Sequence, residues 1–219
     1  MSSDWFQRFC RLPAAVLSDC LQGKHTLDSS IRCMTPGHGL AGPAFTVLAE
    51  GGSIITLHKS LKEAPHGSVL VVGGSSAEDL NSALFGKLMA IDAKAHGIQG
   101  LVVDGPIRDI AEIREMGFHV FARCTATHVG RNRTVGQTQA PTLLGDVIVH
   151  SGSYLRSDDD GVTIVPVEEL EKVVAAAEQR LRKEDEYKQA MKAGEHITDL
   201  IGFTRLIYQE NEPYGRADH

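Results

Sequence analysis

The chain has 219 residues, of which 42% are apolar and 23% charged, as in an ordinary globular protein. Its net charge of −6 argues against a nucleic-acid-binding surface, which would be basic. No apolar stretch approaches the ~18 residues of a membrane span, and the N-terminus lacks a signal-peptide pattern. We therefore expect a cytoplasmic protein with no membrane or nucleic-acid partner.

The first third of the chain alternates short helices and strands. The apolar spacing and the turn residues predict a helix over 12–22, a strand over 41–50, a helix over 53–64 with Ser53 as a plausible cap, and a fully apolar strand over 67–74. A short strand that is apolar throughout is typical of a sheet covered on both faces.

The longest helix predicted in the central part covers residues 77–96. Ser76 and Asp79 resemble a capping box at its start, and Gly97 stands at its end. One apolar stripe would face the core, formed by Leu80, Leu84, Leu88, Ile91 and Ala95.

A strand at 100–105, a helix at 108–117 and a strand at 118–123 complete the pattern. Strand–helix alternation from residue 68 to 123 predicts an α/β core with parallel strands. Short strands follow between 140 and 166, and Pro166 starts a long helix whose later part is strongly charged. We predict one α/β domain over 1–178 and a helical C-terminal extension over 179–219 that makes oligomer contacts.

Two strand ends are candidate binding sites, because ligands of open α/β sheets bind beyond the carboxyl ends of the strands. At the first, Gly73 and Gly74 lead into a helix N-terminus that could hold a carboxylate or phosphate. A tight turn explains the same two glycines equally well.

At the second strand end, Asp104, Arg108 and Asp109 are crowded together. Asp104 fits a turn, and Asp109 with Glu112 fits a helix start. Arg108 fits less well, because a cation beside the positive end of a helix is unfavourable. Its planar guanidinium suits a carboxylate in two-point contact. Either these residues form a turn and a cap, or they bind a charged substrate.

Four segments, GPAFTV, GSVLVVGG, LFGKLMAIDAKAHGIQGLVVDGPIRDIAEIREMGFHVFAR and DDDGVTIVP, resemble the RraA-like family over about residues 12–175. This family includes class II pyruvate aldolases, which cleave 4-hydroxy-4-methyl-2-oxoglutarate or 4-carboxy-4-hydroxy-2-oxoadipate, and regulators of ribonuclease activity. The resemblance implies a swivelling β/β/α-type single α/β domain with parallel strand–helix units. It also implies a homotrimer or homohexamer with the active site at a subunit interface.

The resemblance assigns roles to the second strand end. Arg108 would bind the C1 carboxylate of a 2-oxo acid, and Asp109 would ligate Mg²⁺ or Mn²⁺. The backbone amides of Leu88 and Met89, after Gly86, would complete the substrate pocket. Asp104 is a further candidate for substrate binding.

The aldolase motif is an acidic residue, twenty residues, Arg-Asp, two residues, and then an acidic residue. The chain matches its second half, which ends at Glu112, but has Lys87 at the first position. Lys87 could weaken metal binding, anchor a second substrate carboxylate, end the aldolase chemistry, or simply point into solvent. A neighbouring subunit would supply a further acidic residue, Glu184 or Glu186.

The leading hypothesis is a divalent-metal-dependent lyase that cleaves a 4-hydroxy-2-oxo acid to release pyruvate. Oxaloacetate decarboxylation, which forms the same enolate, is expected as a second activity. The alternative is a non-catalytic regulator or binding protein with a decayed metal site, marked by Lys87.

Overall fold

The computed structural model describes residues 3–37, 39–74, 80–132 and 134–208. The chain divides into two compact units, the first ending at Ala177 and the second beginning at Glu178. The first unit holds the sheet, and the second is helical where it is described.

The elements of the first unit begin with two helices and are then mainly strands. In chain order they are α1 (Ser3–Arg11), α2 (Ala14–Cys20), β1 (Arg32–Cys33), β2 (Ala41–Leu48), a 3-10 helix (Glu50–Gly52), α3 (Ile54–Glu63), β3 (Val69–Gly73), β4 (Ser82–Ala83), α4 (Lys87–Ala95), β5 (Gly100–Ile107), α5 (Ile110–Glu115) and β6 (His119–Thr125). There follow β7 (His128–Val129), β8 (Gln137–Thr138), β9 (Thr142–Leu144), β10 (Val147–Val149), β11 (Tyr154–Asp158), β12 (Gly161–Val165) and a 3-10 helix (Val167–Glu169). Helix α6 (Leu170–Lys192) crosses into the second unit, which also holds α7 (Ile197–Leu200) and α8 (Thr204–Tyr208).

The described residues form an eight-stranded mixed sheet in the order β1-β6-β5-β3-β2-β11-β12, with β8 also on β2. The central strands β2, β3, β5 and β6 are parallel to one another. Strands β1, β8, β11 and β12 add antiparallel pairs. The parallel core predicted between residues 68 and 123 is confirmed.

The core lies on both faces of this sheet, because successive side chains of a strand point to opposite faces. On β3, Leu70 and Val72 pack with buried residues of α3, α4 and α5. Val69 and Val71 pack instead with buried residues of β9 to β12. Helices cover one face and a smaller β layer the other, which confirms the predicted α/β class.

The prediction of one helix over 77–96 is wrong. Helix α4 begins only at Lys87, and residues 75–79, including the predicted capping box, lie outside the described residues. The segment before α4 instead follows the end of β5: Leu84 N–H donates to the Pro106 carbonyl at 2.9 Å. Pairing with a strand end thus replaces two turns of helix.

The predicted apolar stripe of that helix is also wrong. Leu80, Leu88, Ile91 and Ala95 are exposed, and Leu84 is buried outside the helix. The face that α4 buries holds Met89, Ala90 and Ala93. The face that α4 turns inward is selected by packing against the sheet and its neighbouring helices, where Met89, Ala90 and Ala93 join the core.

Two smaller predictions need correction. Ser53 stands at the N-cap of α3, but its hydroxyl is buried and bonds to none of the described residues. The long helix begins at Leu170 after a 3-10 turn, rather than at Pro166. In the described part of the chain, none of the helices is both long and apolar enough to cross a membrane.

Candidate functional site

Asp104 links neighbouring strands near the end of β5. Its Oδ1 accepts a hydrogen bond from Arg123 Nε on β6, and its Oδ2 accepts one from the Gly145 N–H at 2.9 Å. The bond to Asp104 raises the pKa of the Arg123 guanidinium. Both carboxylate oxygens are thus engaged by protein groups, which supports a structural role over the substrate contact predicted for Asp104.

Arg108 and Asp109 follow β5 directly, and their backbone is held against the segment that leads into α4. The Arg108 N–H donates to the Phe85 carbonyl at 2.9 Å. Asp109 adopts the left-handed conformation with φ of 58°, which aspartate tolerates better than most residues. This sharp turn ends the strand and directs both side chains towards α4.

The Asp109 carboxylate stabilises α4, not the helix that it precedes. Asp109 occupies the N-cap position of α5, but its Oδ2 accepts the Lys87 N–H at 3.0 Å. Lys87 is the first residue of α4, whose first-turn N–H groups lack intrahelical acceptors. The sequence predicted that Asp109 caps α5. In the structure its carboxylate caps α4 instead.

Gly86 allows this close approach. A Cβ atom at Gly86 would lie 2.8 Å from Asp109 Oδ2 and 3.0 Å from Arg108 Cγ. Real Cβ contacts are essentially never as short as the first of these distances. The glycine therefore leaves room for the Arg108 and Asp109 side chains at the start of α4.

Lys87 does not simply point into solvent, as one interpretation of the sequence held. Its Nζ lies 3.1 Å from Glu112 Oε1, and the two side chains are 41% and 45% exposed. The pKa of Glu112 is lowered, first by a hydrogen bond from its own backbone N–H and second by the Lys87 ammonium. Glu112 thus accepts a backbone N–H in the first turn of α5, as predicted, and also links α5 to α4 through Lys87.

Arg108 and Asp109 line two adjacent cavities. The larger has a volume of about 610 Å³, and its other lining residues are Leu80, Asn81, Ile110, Thr125, Ala126 and Thr127. The smaller, of about 120 Å³, has a mostly apolar lining that includes Ile54, Leu84, Leu88, Met89 and Val129. A ligand bound by Arg108 could extend into either cavity.

His58 is a site residue that the sequence did not single out. It is exposed on α3 and lines the smaller cavity together with Arg108 and Asp109. His58 belongs to the helix predicted over 53–64, at helical spacing with the apolar residues Ile54, Leu57 and Leu61. The signal that could have found it is a titratable side chain at an otherwise apolar helix position.

The described side chains around Arg108 do not by themselves fit a divalent metal site. Mg²⁺ is bound by carboxylates and waters in near-octahedral geometry. Here the Asp109 carboxylate already accepts the Lys87 N–H, and Glu112 is paired with the Lys87 ammonium. Within the described ranges there is no group of three or more His, Cys, Asp or Glu side chains able to hold an ion.

The remaining sequence-based candidates have another explanation or stay predictions. Gly73 is explained by packing, since a Cβ there would lie 2.3 Å from the Leu143 carbonyl oxygen. The helix start predicted after Gly74 falls on residues 75–79, outside the described residues. Glu184 and Glu186 lie on α6 in the second unit, and a role at a neighbouring subunit stays a prediction.

Comparison with known proteins agrees with this architecture. Residues 14–164 match the RraA-like family, described as Aldolase/RraA, and the chain belongs to this family. A protein of Halalkalibacterium halodurans with the provisional name 4-hydroxy-4-methyl-2-oxoglutarate aldolase is 30% identical over 188 residues, which cover 86% of this chain and 89% of that protein.

Two solved structures share the fold. An uncharacterized protein from Pseudomonas syringae pv. tomato superposes with a TM-score of 0.81 at 25% identity, over 95% of both chains. Streptomyces coelicolor RraAS2, described as an unusual member of the RNase ES inhibitor RraA family, gives a TM-score of 0.76 at 24% identity, over 86% of this chain and 97% of that one. The second likeness concerns the fold alone.

Proposed function

We propose that this protein is a lyase that cleaves a C–C bond of a 4-hydroxy-2-oxo acid and releases pyruvate. The observation that carries the proposal is the position of Arg108, beside the start of α4 and at the edge of two cavities. The provisional aldolase name of the Halalkalibacterium halodurans relative supports the same reaction class.

In this proposal, Arg108 binds the C1 carboxylate of the substrate through its guanidinium fork. The intrahelical hydrogen bonds of α4 begin with the Ala90 N–H on the Gly86 carbonyl, at 3.0 Å. The N–H groups of Leu88 and Met89 precede that bond and belong to the first turn. They would donate to the 2-oxo group next to the bound carboxylate.

Cleavage needs a base and a stabilised enolate. The base takes the proton of the 4-hydroxyl, the C4–O bond becomes a carbonyl, and the C3–C4 bond breaks. Its electron pair forms the enolate of pyruvate, which is then protonated at C3. His58 lines the same cavity as Arg108 and has the proton-transfer chemistry required of the base.

The positive end of α4 stabilises the enolate oxygen in this scheme, because developing negative charge is favoured at a helix N-terminus. Decarboxylation of oxaloacetate yields the same enolate and is expected as a second activity. The Mg²⁺ expected from the family resemblance would be held by Asp109, but the residues present do not fit it. No step of the scheme is therefore assigned to a metal.

The test is coupled detection of pyruvate from 4-hydroxy-4-methyl-2-oxoglutarate and from oxaloacetate. We expect Arg108→Ala to lower kcat/KM about 10- to 100-fold, the worth of a hydrogen bond to a charged group. Arg32→Ala, on the exposed edge strand β1, is the matched control and should behave as wild type.

A folded wild-type protein that releases no pyruvate above the buffer background would refute the lyase proposal. The non-catalytic alternative would then stand. It predicts that binding to a macromolecular partner persists in Arg108→Ala and in Asp109→Ala.

A further inference from the structure

Lys87, in the first turn of α4, contacts one carboxylate through its backbone N–H and another through its ammonium. The Lys87 backbone N–H donates to Asp109 Oδ2 at 3.0 Å, and its Nζ donates to Glu112 Oε1 at 3.1 Å. Arg108 Nε lies 3.7 Å from the same Asp109 oxygen. Two cationic and two anionic side chains therefore lie at the junction of α4 and α5, and two of them, Arg108 and Asp109, line the cavities proposed for the substrate.

The position of Lys87 is unfavourable unless something offsets it. A helix N-terminus carries partial positive charge, so that a lysine in the first turn is repelled by it. Contact with Glu112 offsets that repulsion and holds the ammonium between α4 and α5. A fully solvated lysine would have no ion pair of the kind that the Lys87 ammonium makes with Glu112.

The same arrangement opposes a divalent cation. An incoming ion would need the Asp109 and Glu112 carboxylates as oxygen ligands. Glu112 is already neutralised by Lys87, and both the ammonium and the positive end of α4 would repel the ion. An ion held between these two carboxylates could bind only if Lys87 moved away from Glu112.

We infer that the Lys87 ammonium takes the place of a divalent cation, so that the site binds and polarises its 2-oxo acid without a metal. In the proposed reaction, the first-turn amides of α4 stabilise the enolate oxygen, and the Lys87 ammonium adds positive charge at that end of the helix. The catalytic half of this inference rests on the proposed function. The exclusion of divalent ions rests on the Lys87 contacts alone.

The experiment is a Mn²⁺ titration of the full-length protein followed by electron paramagnetic resonance, in which only free Mn²⁺ gives the sharp spectrum. Wild type should leave the ion free. Lys87→Gln, which releases Glu112, should bind Mn²⁺, and Lys87→Glu should bind it about tenfold or more tightly than Lys87→Gln. Lys94→Gln removes the same charge from an exposed position of the same helix and should leave Mn²⁺ free, as wild type does.

Pyruvate release gives a second readout. Wild type should turn over equally fast in EDTA and in Mn²⁺. Lys87→Gln should lose turnover in EDTA and regain part of it when Mn²⁺ is added, which a merely structural lysine would not produce. Lys94→Gln should match wild type under both conditions.

Stoichiometric Mn²⁺ binding by wild type would overturn the inference, and so would loss of wild-type turnover in EDTA. The wild-type arms need no variant, so that an unfolded variant cannot obscure them. If wild type releases no pyruvate under either condition, the proposed function fails, and the Mn²⁺ titration still decides whether Lys87 excludes the metal.

Discussion

A single lysine determines how the charges of the site are arranged. Lys87 lies where the family motif has an acidic residue, and it pairs with Glu112 at the other end of that motif. The exchange of a carboxylate for an ammonium changes the local charge by two units. A site whose carboxylates would bind a metal ion thus already contains the ammonium group of Lys87.

The pKa of Glu112 reports this contact directly. It lies below the ordinary glutamate value of about 4.3, owing first to the backbone N–H of Glu112 and second to Lys87. In Lys87→Gln the pKa should rise part of the way towards the ordinary value, because the backbone bond remains. A carboxyl carbon NMR titration measures it, and Lys94→Gln should leave the pKa unchanged.

The sign of the pH effect follows from the lowered pKa. The contribution of Glu112 to the free energy of unfolding is fully present above the unfolded-state pKa, and is lost as pH falls through the lower folded-state value. Lys87→Gln should therefore lose less stability than wild type across that acidic window. An unchanged Glu112 pKa in Lys87→Gln would show that the Lys87–Glu112 pair does not persist in solution.

At the scale of elements, the sequence predicted the strands better than the helix next to the site. The runs that form β3 and β5 are apolar throughout, and burial on both faces leaves little choice of structure. Residues 82–85 fit the apolar periodicity of the helix predicted over 77–96. In the structure they pair instead with the end of β5 and with β7. That competition depends on a neighbour that comes later in the chain, so local periodicity could not reveal it.

The site itself was only partly predictable. Arg108 stood out because a cation fits poorly at a helix start. The Lys87–Glu112 pair spans 25 residues and joins two helices, so it depends on how α4 and α5 pack. Because the backbone at Asp109 is left-handed, its carboxylate caps α4 rather than α5. No capping pattern in the sequence indicates this.

The junction between α4 and the β5–α5 turn can be tested with Gly86→Ala. The added Cβ would force the Asp109 carboxylate and Arg108 to move. We expect the free energy of unfolding to fall by about 1 kcal/mol through loss of the α4 cap. Pyruvate release should fall about 100-fold, because Arg108 no longer holds the substrate in place.

Gly37→Ala is the control for the Gly86 substitution. Gly37 has a φ of 84° and open space around its Cβ position, so alanine there should cost about 1–2 kcal/mol through backbone strain alone. Urea unfolding and pyruvate assays of both variants separate the two effects. Equal loss of activity in both would mean that the Gly86 contact with Arg108 has no part in function.

At the scale of the whole chain, the second unit concentrates exposed apolar side chains in a short segment. The buried apolar side chains described on α6 end at Ala177. Beyond that point the described chain exposes six large apolar side chains, namely Met191, Ile197, Ile201, Phe203, Leu206 and Ile207. Apolar side chains concentrated in a short surface segment are typical of contact regions. We therefore propose that this segment takes part in self-association, as expected for a homotrimer or homohexamer.

Truncation after Lys192 tests this assignment. The shortened chain lacks five of the six exposed apolar side chains, but keeps both hydrophobic clusters that pack the sheet. We expect light scattering to show a smaller assembly than the full-length chain forms, with a far-UV spectrum changed only by the loss of α7 and α8. A chain that ends at Tyr208 retains all six side chains and should assemble as the full-length protein does. If the chain truncated after Lys192 assembles to the same size, the contacts that hold the oligomer together lie within residues 1–192, and the assignment to the exposed apolar segment is wrong.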